Sequence, residues 1–121
     1  MKLVLDSDPA LVTVRRYAPG EIEAGGQQLR APCLLSASGV FADWAAPSLA
    51  ALEPAHLEPV FALKPSILLL GSDAGGRIPL ALRRLLEVRG IAAECMDVGA
   101  ACRTYNVLVT EYRPVVTGLF P

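Results

Sequence analysis

Four consecutive aliphatic residues, Ile67-Leu68-Leu69-Leu70, run into Gly71 without a polar residue between them. A short run that is apolar on alternate positions of both kinds fits a strand buried on both faces. Such a strand needs cover above and below, and helices are the usual cover. The residues that follow supply them. Pro79 to Arg89 reads as a helix, with Ile78, Leu82, Leu85 and Leu86 at i, i+4, i+7 and i+8. Pro79 suits a first turn and Gly90 a left-handed stop. Ile91 to Met96 reads as the next strand. Ala101 to Thr110 reads as a helix with Ala101, Tyr105 and Leu108 at i, i+4 and i+7, and Val115 to Phe120 as a closing strand. Strand and helix in alternation predict a parallel sheet with crossover helices.

The first half reads differently. Val12 to Tyr17 begins a β region, and Gly25-Gly26 between Glu21–Ala24 and Gln27–Arg30 marks a hairpin turn. Cys33 to Ser36 can join a sheet. Pro47 to Leu63 is rich in Ala and Leu but interrupted by Pro54 and Pro59, which predicts two short helical pieces in place of one long helix. Residues 1–10, with Asp6, Asp8 and Pro9, read as a loosely held arm. The expected fold is therefore one α/β domain over residues 1–121. It has three layers, a mostly parallel central sheet with helices on both faces, and an added N-terminal antiparallel β element.

Charge and composition narrow the function classes. A net charge of −1 gives no attraction to phosphate backbones, so nucleic acid is not an expected partner. The apolar runs are far shorter than a membrane span, and the start of the chain is too short in apolar residues for a signal peptide. Cys33, Cys95 and Cys102 are an odd number of thiols with no C-x-x-C spacing, which reads as free thiols in a cytoplasmic protein with no metal site and no cofactor. With 53% hydrophobic residues in 121, some apolar surface is expected to be covered by a partner, most simply in a homodimer.

Ligands in open α/β sheets bind beyond the carboxyl ends of the strands. Two segments hold that position. Gly71-Ser72-Asp73-Ala74-Gly75-Gly76-Arg77 is a glycine-rich loop before a helix, though Asp73 breaks the dinucleotide pattern and the Lys-Ser/Thr of a P-loop is missing. Asp97 to Asn106 is chemically denser. Cys102 would open a helix beside Arg103, the setting that lowers a thiol pKa. Arg103, Asn106 and Thr110 would form a polar stripe. Asp73 and Asp97 would face each other across strand ends, as an acid–base pair, a metal-holding pair or an ion-pair network with the arginines. The candidate binding residues are Gly71, Ser72, Asp73, Asp97, Cys102, Arg103 and Asn106. Each also has a plain structural reading as a turn, core or ion-pair residue. His56, the one histidine, sits among prolines with nothing to place it near Cys102.

Ile67–Gly71, Pro79, Gly90-Ile91, Glu94–Met96 and above all Ala101-Cys102-Arg103-Thr104-Tyr105-Asn106, with Tyr17, Gly20–Ile22 and Trp44 upstream, resemble one family of small α/β domains. The family is largely uncharacterised, and its eukaryotic members include a mitochondrial complex I assembly factor and a cytosolic adipogenesis-associated protein. The resemblance runs from about Val12 onward and implies the fold already read from the pattern. It implies no reaction. Similar chains carry Gly-Thr-Gly where this one has Gly71-Ser72-Asp73. No Arg-rich, acid-poor leader suggests a mitochondrial address. Two classes of function follow: a non-catalytic protein-interaction domain like an assembly factor, binding a protein partner near the strand ends, or a small-molecule (anion) binder or enzyme using a cleft between Gly71–Arg77 and Asp97–Asn106. A redox-responsive Cys102 is a third. No complete catalytic constellation is present, so the first reading leads.

Overall fold

The computed structural model describes residues 8–121. Along the chain come β1 (Val14–Ala18), β2 (Glu21–Ala24), β3 (Gln27–Leu29), β4 (Cys33–Ser36), β5 (Gly39–Phe41), a 3-10 turn (Pro54–Leu57) and α1 (Glu58–Leu63). They are followed by β6 (Ile67–Ser72), α2 (Leu80–Val88), β7 (Ala92–Met96), α3 (Val98–Thr110) and β8 (Val115–Phe120). The strands form two sheets. The first is three-stranded in the order β1-β2-β3, antiparallel throughout, with Gly25-Gly26 at the β2–β3 hairpin as expected. The second is five-stranded in the order β5-β4-β8-β6-β7. There β6 pairs in parallel with β7 and with β8, whereas β4 pairs antiparallel with both β8 and β5. The class is mixed α/β. Residues 1–7 of the expected N-terminal arm lie outside the described residues. Asp8, which follows them, closes a turn by accepting the Ala10 N–H at 2.8 Å.

The aliphatic run that constrained the fold behaves as its composition requires. Along β6, side chains alternate between faces, and each face feeds a different core. Leu68 and Leu70 join Leu34 and Val116 in a core with Trp44, Val60 of α1, and Leu82 and Leu86 of α2. Leu69 joins Leu35, Val115 and Leu119 in a second core with Ala101, Tyr105 and Val109 of α3. The small sheet adds Val14, Ile22 and Leu29 to that second core, so it is packed on the α3 side. All three leucines of β6 are buried to within 2% of their surface.

Two expectations about helices need adjusting. The Ala- and Leu-rich segment does give two short helical pieces, but only from Pro54 onward; each proline falls at the start of a piece, where a missing N–H costs nothing. The last helix begins at Val98, three residues before the expected Ala101, because Asp97 and Asp73 cap its exposed amides (below).

The central sheet leaves no space behind β8 at Gly118. A Cβ there would lie 2.7 Å from Trp44 Cζ3, 2.9 Å from Cη2 and 3.0 Å from Leu70 Cδ2. The Trp44 indole is itself fixed: its Nε1–H donates to the His56 carbonyl at 2.8 Å and its ring lies 5.2 Å from that of Phe120. Gly118→Ala is therefore expected to destabilise the protein by roughly 1–3 kcal/mol through overpacking, read as a lowered urea midpoint at unchanged m-value.

Candidate functional site

An α-helix leaves the first amides of its backbone without internal partners. In α3 two carboxylates from different strand ends take them. Asp97, the residue after β7, is the N-cap, and its Oδ1 accepts the Ala100 N–H at 2.7 Å. Asp73, the residue after β6, reaches across, and its Oδ1 accepts the Val98 N–H at 3.0 Å. The two expected segments are thus brought together, with a helix start as the meeting point.

Above them lies an open cleft of about 340 Å³, lined by Asp73, Asp97, Val98, Gly99 and Arg103, and closed on the far side by Tyr17, Ala18 and Pro19 from the end of β1. Tyr17 approaches α3 so closely that a Cβ on Gly99 would lie 2.8–2.9 Å from its ring and hydroxyl atoms; a larger residue there would push the end of the Tyr17 side chain aside. The Arg103 guanidinium donates to the Tyr17 hydroxyl. Among the described residues the ion pairs are Arg15–Glu23 at 4.0 Å and Arg30–Glu21 at 3.0 Å, so Arg103 is paired with neither aspartate. Nor, among those residues, does any group of three or more His, Cys, Asp or Glu stand where it would hold a metal ion.

Other expected site residues are placed elsewhere. Gly71 and Ser72 are buried at the end of β6. Asn106 is only 2% exposed and is no part of a polar surface stripe. Its Oδ1 accepts the Val14 N–H and its Nδ2–H donates to the Val14 carbonyl, both at 2.9 Å. One turn of the same helix supplies Tyr105, whose hydroxyl donates to the Val12 carbonyl at 2.7 Å. Arg103 and Asn106 therefore grip β1 at Tyr17 and Val14, and Tyr105 holds the residue two before it, Val12. The dense Cys-Arg-Thr-Tyr-Asn stretch fastens the small sheet to α3.

Cys102 corrects a further expectation. It lies in the second turn of α3, past the amides that would favour a thiolate, and is fully buried. Burial pushes its thiol up to about 12, with the nearby Cys33 adding to the rise and Arg103 opposing it only weakly. Burial raises Cys33 to about 12 in the same way, and the Tyr105 phenol is pushed up too. All three cysteines are free. A thiol held neutral at physiological pH is no nucleophile. His56 accepts the Glu53 N–H at its Nδ1 and serves the 3-10 turn.

Tyr17, Pro19 and Gly99 belong to the cleft but were not among the residues singled out as binding. The signal for Tyr17 was its place in the family resemblance; nothing in local spacing shows that β1 ends against α3.

A family model described as "Protein of unknown function (DUF498/DUF598)" matches residues 14–120. The chain belongs to that family. As a DUF498/DUF598 protein it is similar to NADH dehydrogenase (ubiquinone) 1 alpha subcomplex assembly factor 3 of Danio rerio, with 29% identity over 108 residues. That match takes in 87% of the chain but only 62% of the zebrafish protein's length. It is also similar to a protein of Francisella tularensis called a 13 kDa major membrane protein, at 28% identity and 95% coverage of both chains. Among solved structures, a Bordetella pertussis protein described as an Mth938-like domain superposes with a TM-score of 0.81 at 28% identity, over 100% of this chain and 92% of that one. Among the described residues no helix is long and apolar enough to cross a membrane.

Two outcomes follow from these contacts. Asn106→Ala orphans two buried backbone groups of Val14 and is expected to cost about 3 kcal/mol, at roughly 1–3 kcal/mol per group, measured by chemical denaturation. The raised thiols also fix a pH dependence. The unfolded chain releases these protons near 9.0, the folded one near 12. Across that window the unfolded state binds fewer protons, so stability is expected to fall as pH rises through it. Cys33→Ala should shallow that decline in melts taken across the alkaline range.

Proposed function

We propose that the chain is a non-catalytic protein-interaction domain of the assembly-factor kind, engaging its partner through the surface around Asp73, Asp97, Arg103 and Tyr17. The observation that carries this reading is the occupation of the Cys-Arg-Thr-Tyr-Asn stretch. Its thiol is buried and neutral, and its Arg, Tyr and Asn hold β1. A nucleophile needs a base beside it, and here Cys102 is buried while the one histidine serves another turn. The zebrafish relative, named for assembling a larger complex, supports a protein partner. The charge of −1 and the large apolar fraction support a chain that pairs with protein and not nucleic acid, with self-association as a homodimer and a cytoplasmic location.

The cleft favours a second reading. At about 340 Å³ it falls within the size range of small-molecule sites. Two carboxylates at its wall argue for a ligand that is not a simple anion.

Affinity capture of the tagged protein from its native lysate, with quantitative mass spectrometry, separates the two. An Arg103→Ala/Asp73→Ala variant runs in parallel after a melt confirms that it folds; the lost cap is expected to cost about 1 kcal/mol. A stoichiometric partner kept by the parent protein and lost by the variant is the expected result. A partner kept by both places the interaction surface elsewhere. Self-association alone in both samples shifts the weight to the small-molecule cleft.

A further inference from the structure

Among the described residues β7 ends the five-stranded sheet and has β6 on one side only. Which of its backbone groups face β6 follows from the register. The Ala92 N–H donates to the Ser66 carbonyl at 2.9 Å, and the parallel ladder continues from Ile67 opposite Ala92 to Gly71 opposite Met96. Residues 92, 94 and 96 thus turn their N–H and C=O toward β6. Strand residues alternate in direction, so those of Ala93 and Cys95 turn outward. An outward row of this kind is a template for an added strand.

At one point the row is already taken. Arg83, half-buried on α2, extends its guanidinium past the sheet edge and donates from Nη1 to the Ala93 carbonyl at 3.2 Å. That carbonyl is one of the acceptors an incoming strand would use. A second obstacle is Glu94, which is exposed. A second copy pairing antiparallel through both Ala93 and Cys95 would set Glu94 directly against the same residue of its partner, and like charges so placed are destabilising.

We propose that Arg83 closes the β7 edge against strand addition by a second copy of this chain, acting in each copy as a side-chain strap over the outward carbonyl of Ala93. The strap is independent of the cleft at the start of α3 and of what binds there. Homodimerisation, where it occurs, then uses another face.

The test is Arg83→Met, which keeps the aliphatic stem and removes every donor; Arg83→Gln repeats it with a shorter side chain should the Met variant not fold. Sedimentation velocity over a concentration series gives the association state, and amide exchange at Ala93 and Cys95 gives the surface. The expected result is self-association roughly a hundred- to ten-thousandfold tighter than the parent's, the equivalent of two charged hydrogen bonds, one per copy, no longer displaced, with concentration-dependent protection of the Ala93 and Cys95 amides. Unchanged association overturns the proposal. So does association that leaves both amides unprotected, or a parent protein in which those amides already become protected as concentration rises.

Discussion

Asn106 does for β1 what a neighbouring strand would do. Its amide group presents an acceptor and a donor in the spacing of a peptide, and both backbone groups of Val14 pair with it at 2.9 Å inside a dry core. An isolated three-stranded sheet of such short strands has little to hold it in place. Its inner face, Val14, Ile22 and Leu29, is buried only because the sheet lies on α3. The polar pairing fixes the position and the apolar packing supplies the driving force. Neither is useful alone, since the burial that stabilises would also orphan Val14 without the amide.

From that contact the rest of the α3 side follows. Docking β1 brings Tyr17 over Gly99 and gives its hydroxyl to Arg103. The helix start is then bounded by Tyr17 on one side and by Asp73 and Asp97 on the other. The cleft is a by-product of fastening two sheets together, and its polar groups are first of all caps and ties. The opposite face obeys another constraint. There Trp44 fills the space left by Gly118 and is tethered to the 3-10 turn, which closes the sheet under α1 and α2.

Much of the fold was legible in local pattern. The run Ile67–Leu70, the apolar stripe of α2 with Pro79 and Gly90 at its ends, and the Gly25-Gly26 hairpin each rest on neighbours within a few residues. Helix α3 was misjudged at its start because its caps come partly from Asp73, a residue distant in sequence. The candidate site was legible only in part. Asp73, Asp97 and Arg103 line one cleft, but Arg103 bonds to Tyr17 and to neither aspartate. Cys102 and Asn106 each carried both a site reading and a structural one, and local sequence could not choose between them, because burial depends on what lies across from them. The wall formed by Tyr17 had no local signature at all.

By itself, the sequence determined most of the strands and helices, the α/β class and the family, because periodicity and turn chemistry are local. Only the tertiary structure decided what the densest motif is for. Whether a thiol is a nucleophile or a core residue, and whether an asparagine meets a ligand or a strand, depends on the dielectric and the partners around it. Residues 12, 14 and 17 provide those partners for residues 105, 106 and 103, and only folding brings them together.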